Sequence, residues 1–340
     1  MATGNGKSRR STVWQVAERA GVSHQTVSRY LRKDGGFRPA TVEKIEQAIK
    51  ELDYRPNLVA RSMRTRRTGI LSVVLPPFVE AIPTRSIAAA ADVAHQAGYF
   101  MEITVLEDAV KNRAGRVQEL MESGRVEGVL SFGALPGLET TVATEIQAAL
   151  QIFDQFDDRL RGQGLLADAS PLREIFDHLS SLGHRRFLHL AGPQDWASAR
   201  ARQQVYEESI VELGLTSAGV LECEWSAQSG YDAVHSLPAY HGATAIITGN
   251  DLIAAGAVRA ASERGWRVPE AISVTGWDDM EMGRFFRPTL TTVAINRTEQ
   301  GRFAMGQLIA LIERGSPPAL PQTLHRLILR ESTDSAPMKP

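Results

Sequence analysis

Ser11-Thr-Val-Trp-Gln-Val-Ala-Glu-Arg-Ala-Gly-Val-Ser-His-Gln-Thr-Val-Ser-Arg-Tyr-Leu31 reads as two short amphipathic helices joined at Gly21. The first places Val13, Val16, Ala17 and Ala20 on one face at helical spacing. Gly21 supplies the permissive turn between the halves of a helix-turn-helix. Ser23 is placed to cap the second helix, whose buried side is Val27 with Leu31. His24, Gln25, Thr26, Ser28 and Arg29 are then left outside. A row of hydrogen-bonding side chains at a helix start suits the base edges of a DNA major groove. The bland alternative is a small helical cap on an enzyme, with a solvated polar face.

The charge is divided in a way that favours the first reading. The net charge is -1, but residues 1–68 hold 15 Lys and Arg against 6 Asp and Glu, or +9. The remainder holds 23 against 33, or -10. A basic head on an acidic body suits a polyanion-binding module joined to a sensor or oligomer, with salt-dependent affinity for DNA. The 340 residues suffice for two or three domains. No apolar run approaches a membrane span and the N-terminus lacks a signal-peptide core, so the cytoplasm is the expected location. The single cysteine, Cys223, sits in an apolar run and reads as a small core residue, without a disulfide or Cys-rich metal site.

Past the helix-turn-helix, Asp34-Gly35-Gly36 reads as a loop, and a third amphipathic helix begins near Arg38-Pro39 with the stripe Ile45, Ala48, Ile49 and Leu52. Leu58 to Arg67 clusters Arg61, Arg64, Arg66 and Arg67 around Ala60 and Met63. This segment is too short and basic to be a stable helix alone, and reads as a hinge that folds when phosphates neutralise it. From Thr68 onward, apolar strands alternate with helices. Strands are expected at 69–75, 99–106, 126–132, 149–154, 186–191, 219–225, 243–249, 271–277 and 290–295. Helices are expected around 83–97, 110–123, 139–147, 171–182, 198–213, 228–237, 251–264 and 298–314. The fold class is therefore α/β, with two doubly wound, mostly parallel sheets behind a three-helix head. The absence of a GxGxxG after a strand, a P-loop or a GxSxG elbow weighs against a nucleotide-dependent enzyme or an α/β-hydrolase.

Ligands of open α/β sheets bind beyond the carboxyl ends of the strands. Asp154, Trp225, Asn250 and Asp278 fall at such ends, and Arg200 starts the helix after strand 186–191. Carboxylate, amide and guanidinium groups bridge neighbouring hydroxyls bidentately, and an indole offers its face to a pyranose. Together they suggest a sugar or polyol. Each has a plainer role too: Asp and Asn at strand ends cap helices, and a lone Trp is commonly core. No cofactor is implied, and no His/Cys/Asp cluster has metal-ligand spacing. Asp278-Asp279 is a poor acid–base pair, because adjacent extended residues point to opposite sides.

Over residues 12–332 the chain resembles the LacI/GalR family of bacterial transcriptional regulators. The motifs are Gln15 to Arg29, Tyr-x-Pro-Asn at 54–57, Leu-Ala-Gly-Pro at 190–193, Ser-Ala-Arg at 198–200, Trp-Ser-Ala-x-Ser-Gly at 225–230, Asn-Asp at 250–251 and Gly-Trp-Asp-Asp at 276–279. The resemblance implies a helix-turn-helix domain at 8–56 and a hinge at 57–67. It also implies a periplasmic-binding-protein-like core at 68–334, whose N-subdomain spans about 68–166 plus 297–324 and whose C-subdomain spans about 167–294 plus 325–334. It implies a homodimer that reads a near-palindromic double-stranded operator, through Thr12, His24, Gln25, Thr26, Ser28 and Arg29 in the head. Asn57, Ala60 and Met63 would serve in the hinge, Met63 where the family inserts a leucine between base steps. Effector contacts would be Pro83, Phe132, Asp154, Arg200, Trp225, Asn250, Asp278 and Arg297.

Departures qualify the ligand. Phe132 stands where a galactoside-binding member has a polar amide, and Ile295 and Arg297 replace a glutamine and a phenylalanine of its pocket. Gln194 stands where the purine-binding branch has an arginine. A sugar effector is expected, with a β-glucoside, an oligosaccharide or a phosphorylated sugar able to use Arg297. The alanine-rich helix at 83–97 would help form the dimer face. No leucine heptads follow the last strand, so dimers are expected rather than tetramers. The remaining alternatives are a family regulator whose DNA binding is enhanced by effector or a protein co-regulator, a carbohydrate-binding receptor without a DNA role, and an enzyme.

Overall fold

The first helix, α1 (Val13–Ala20), stops because Gly21 enters the left-handed region at φ 63°, ψ 35°. There the Gly21 N–H donates to Glu18 O and the Val22 N–H to Ala17 O, at 3.2 and 3.0 Å, closing the helix end. The computed structural model describes residues 11–31, 35–54, 67–75, 84–106, 110–133, 135, 137–144, 147–153, 155–156, 162–163, 168–238, 242–321 and 324–337. The chain divides into two compact units, Met1–Thr68 and Gly69–Pro340.

In the first unit, Thr12 and Gln15 form a reciprocal capping box at the start of α1. Ser23 Oγ accepts the Thr26 N–H at 3.1 Å and so opens α2 (His24–Leu31), as its position in the sequence suggests. The third helix, α3 (Pro39–Glu51), carries proline at its first position, where the missing N–H costs nothing. Val16, Ala17, Ala20, Val27, Ile45 and Ala48 form the core, with Ile49 and Leu52 packed partly buried against it. Residues 55–66 lie outside the described residues, and with them the hinge positions Asn57, Ala60 and Met63.

The second unit contains two four-stranded parallel sheets. The first has the order β2-β1-β3-β4, from β1 (Ile70–Leu75), β2 (Phe100–Val105), β3 (Gly128–Ser131) and β4 (Ala149–Ile152). The helices α4 (Thr84–Gln96) and α5 (Val110–Glu122) connect its strands. The second has the order β10-β9-β7-β8, from β7 (Arg186–Ala191), β8 (Thr216–Glu222), β9 (Ala245–Thr248) and β10 (Ser273–Thr275). A pair of two-residue strands, β5 (Gln155–Phe156) and β6 (Gly162–Gln163), lies between them in sequence. The helices α6 (Pro171–Ser181), α7 (Ala197–Glu212), α8 (Ala227–His235) and α9 (Asp251–Glu263) belong to the second half. Strands β3, β4, β9 and β10 are buried throughout, as parallel strands covered on both faces must be.

The chain then returns to the first half. β11 (Thr292–Ile295) makes parallel bridges alongside β10, through Thr275 with Thr291 and Asp278 with Ala294. It leads directly into α10 (Arg297–Glu313), which packs on α4, β3 and β4. β12 (His325–Ile328) then runs antiparallel to β11. His325 of β12 lies 3.2 Å from Asp168, in the segment before α6, and this contact holds the Asp168 carboxyl well below the usual range.

One expected helix is absent. Residues 138–144 form no helix, and Thr141 makes an isolated antiparallel bridge to Leu150, with hydrogen bonds of 2.8 and 2.9 Å. Thr140, Thr141, Val142 and Thr144 are β-branched and lose side-chain freedom in a helix, which outweighs the apolar spacing that suggested one. β8 begins at Thr216, earlier than its apolar run, and β12 was not anticipated as a strand.

Small residues let the helices touch backbone to backbone. A Cβ on Gly256 would lie 1.8 Å from Ala227 O, and one on Gly230 2.2 Å from Ile253 O, so α8 and α9 have no room between them. Gly256→Ala is expected to destabilise the protein by about 1–3 kcal/mol in chemical denaturation, because the helices must separate. An unchanged unfolding midpoint would contradict this close approach.

Candidate DNA-reading face and effector cleft

The described head residues divide into capping groups and outward groups. Thr12 is engaged in the α1 capping box, with its N–H donating to Gln15 Oε1 at 2.8 Å. Thr26 shares a 2.8 Å hydroxyl contact with Ser23, and both Thr26 and Ser28 are half-buried. Gln25 and Arg29 are exposed, and the Arg29 guanidinium lies 5.3 Å from the centre of the Phe37 ring. His24 does not stand clear of the surface: its imidazole is stacked on the Trp14 indole, 4.2 Å between centroids and 9° between planes. Trp14 was not among the sequence-derived contacts; its only signal there was an aromatic side chain off the apolar stripe.

In the second unit, the strand ends carry the expected polar groups. Asn250 caps α9, with Oδ1 accepting the Ile253 N–H at 2.9 Å; the plain capping role is therefore real. Arg200 Nε donates to Gln194 O at 2.6 Å from the first turn of α7. Trp225 lies against the loop after β7, where a Cβ on Gly192 would be 2.1 Å from its ring. Its other neighbours are Trp196, edge-on at 6.2 Å, and the Arg202 guanidinium at 5.8 Å. Arg202, which sequence reasoning passed over, is buried, stacked 4.4 Å over the fully buried Trp277 ring and bonded to Gly249 O at 2.7 Å. Phe132 is 3% exposed and packs edge-on against Phe153 in the core of the first sheet. Pro83 and Asp154 lie outside the described residues.

Asp278 and Asp279 both have positive φ, 115° and 47°, and their carboxylates take different partners. Asp278 Oδ1 accepts from Arg297 Nη2, at the first residue of α10. Asp279 accepts from Arg330 at 2.5 Å and Arg284 at 3.0 Å. Arg297 also donates to Gln300 Oε1 at 3.2 Å, and Gln300 in turn accepts from Ser86 of α4 at 3.4 Å. Behind the pair sits Asp251, 2% exposed, accepting from Thr292 Oγ1 at 2.6 Å and the Met280 N–H at 2.7 Å. Burial is the main cause that pushes its carboxyl up to about 7, with Asp278 and Asp279 adding to it. Burial likewise pushes the Cys223 thiol up to about 11, as suits an inert core residue. Among the described residues no cluster of His, Cys, Asp and Glu could hold a metal ion, and no helix is long and apolar enough to cross a membrane.

The comparisons with known proteins agree with this geometry at both ends. Residues 12–57 match the bacterial regulatory proteins of the lacI family, and residues 176–333 match a periplasmic binding protein-like domain. The lactose operon repressor of Escherichia coli (strain K12) is 30% identical over 339 residues, covering 96% of this chain and 91% of the relative. The chain belongs to the lacI family. The ribose operon repressor of the same organism, another relative, is 29% identical over 323 residues, covering 92% and 95%. A crystal structure of the lac repressor dimer bound to operator and the anti-inducer ONPF matches with a TM-score of 0.78 at 27% identity, covering 96% of this chain and all of that one. The family resemblance and the two-sheet core behind a helical head, both expected from sequence, are thereby established.

For this lacI-family core, Asp251 has a definite pH signature. Its folded-state pKa lies above the ordinary 3.8, so the stability it contributes is complete below that value and is lost as pH rises through about 7. The buried His189, pushed down to about 4, acts with the opposite sign, so the two must be separated. The stability difference between wild type and Asp251→Asn should fall by on the order of 2–4 kcal/mol between pH 4 and 7, then level off. A difference that is flat with pH, by thermal or chemical unfolding, would remove Asp251 from this role.

Proposed function

We propose that this protein is a homodimeric, sequence-specific DNA-binding transcriptional repressor, released from its operator by an uncharged sugar bound at the strand ends of the core. The head, about residues 8–56, reads a near-palindromic operator, and residues 57–67 join it to the core. Ile103 and Val105 leave one face of the edge strand β2 apolar and exposed, a face that a second copy would cover. Sugar binding shifts the balance between two arrangements of the core, and a coupling of about 1–3 kcal/mol weakens operator binding roughly 5- to 150-fold. The protein acts in the cytoplasm and catalyses no reaction.

The observation that carries the ligand class is the Asp278–Arg297 pair. In the sequence, Arg297 offers a phosphate partner. In the fold its charge is matched by Asp278, so an anion would approach a neutralised guanidinium with a carboxylate beside it. A neutral sugar meets no such repulsion. It can give hydroxyl hydrogens to Asp278, take hydrogen bonds from Asn250 and Arg200, and lay its C–H face on Trp225.

Thermal unfolding of the full chain with glucose, galactose, lactose, cellobiose and glucose 6-phosphate tests this reading. A neutral sugar should raise the melting temperature, by about 2.7 kcal/mol of stabilisation at a hundredfold excess over its Kd. Asp278→Asn should abolish that rise. A rise with the phosphate alone would overturn the uncharged-sugar assignment, and no rise with any sugar would count against sugar control.

A further inference from the structure

We infer that Trp14 is a positioning residue for base reading, holding the His24 imidazole ready at the mouth of the recognition helix. This rests on the DNA-reading role proposed above for the head. His24 is the first residue of α2, and residues at the start of a recognition helix are those that reach base edges in the major groove. Its ring is stacked face to face on an indole contributed by a different helix, α1, at 4.2 Å and 9°. Trp14 is itself 67% exposed and lies outside the buried core of the head. Single exposed aromatic side chains are common and need no explanation. What needs one here is the parallel contact with His24, a residue already placed on the outward row.

The physical consequence is pre-organisation. An imidazole free to rotate loses that freedom when it meets a base, and the loss is subtracted from its discrimination between right and wrong bases. Stacked on the indole, the ring keeps one plane before DNA arrives, and its edge carries one donor and one acceptor in the neutral form. A fixed donor reads guanine N7 or O6 against a wrong base better than a mobile one. Around it, Ser23 and Thr26 fix the first turn of α2 through their 2.8 Å hydroxyl contact, so the backbone beneath His24 is fixed as well. Gln25 and Arg29 are exposed on the same helix, and the Arg29 guanidinium lies over the Phe37 ring, outside α1.

The test is selection of binding sites from a random pool of double-stranded DNA by the full-length protein and three variants, with affinities measured for the selected site and its single-base changes. His24→Ala marks the base pair that His24 reads in each half-site. Trp14→Ala should lose discrimination at that same base pair, by about tenfold, and leave the others intact. Trp14→Phe should restore most of it, because a second aromatic ring supports the stack. Melting temperatures of the variants should match wild type, since Trp14 stands outside the core. The inference is overturned if Trp14→Ala weakens all sequences equally, relaxes a different position, or changes nothing. A wild-type protein that selects no sequence would instead overturn the DNA-reading role on which it rests.

Discussion

The ion pair between Asp278 and Arg297 joins the two halves of the core at the point where the chain passes from one sheet to the other. Asp278 lies at the carboxyl end of β10, and Arg297 is the first residue of the helix that packs against the opposite sheet. β11 leads through Asn296 directly into that helix. Asp278 has φ 115°, a strained conformation for a residue with a side chain, and its N–H is fixed to Val293 O at 2.8 Å. Backbone strain of that kind persists where the surroundings hold it, and is common at ligand sites.

The rest of the cleft is organised around that junction. Asp279 is held by Arg330 and Arg284, and Asp251 by Thr292 and the Met280 amide, so three carboxyl groups crowd one corner with different partners. Further bonds run from Arg297 through Gln300 to Ser86 on α4. A Cβ on Gly301 would lie 2.0 Å from Ser86 O, so α4 and α10 meet without slack.

Much of this was legible in the sequence, for physical reasons. The head could be read because every local signal agreed: cap residues, a glycine at the turn, and apolar spacing that matched the helical period. The alternation of apolar strands and helices gave both parallel sheets, and Trp225, Asn250 and Asp278 do follow strands of the second one. The errors lie where period and propensity conflicted, as in the β-branched Thr140–Thr141–Val142, where Thr141 makes an isolated bridge to Leu150 and a helix was expected. Pairings across long separations were also illegible. Nothing local in Arg297 says that it meets Asp278, nor in Trp14 that it stacks on His24, nor in Asp251 that burial moves its carboxyl to about 7. Phe132 was named from the family resemblance, and its burial beside Phe153 is a matter of packing that no local signal carries.

The central claim is that ligand at the core governs DNA affinity at the head. It is tested most directly by titrating the full-length protein onto its selected operator, by fluorescence anisotropy, with and without the neutral sugar that raises its melting temperature. Operator affinity should fall roughly 5- to 150-fold with sugar, and Asp278→Asn should keep its DNA affinity but lose that response. An operator affinity that the bound sugar leaves unchanged would contradict the account.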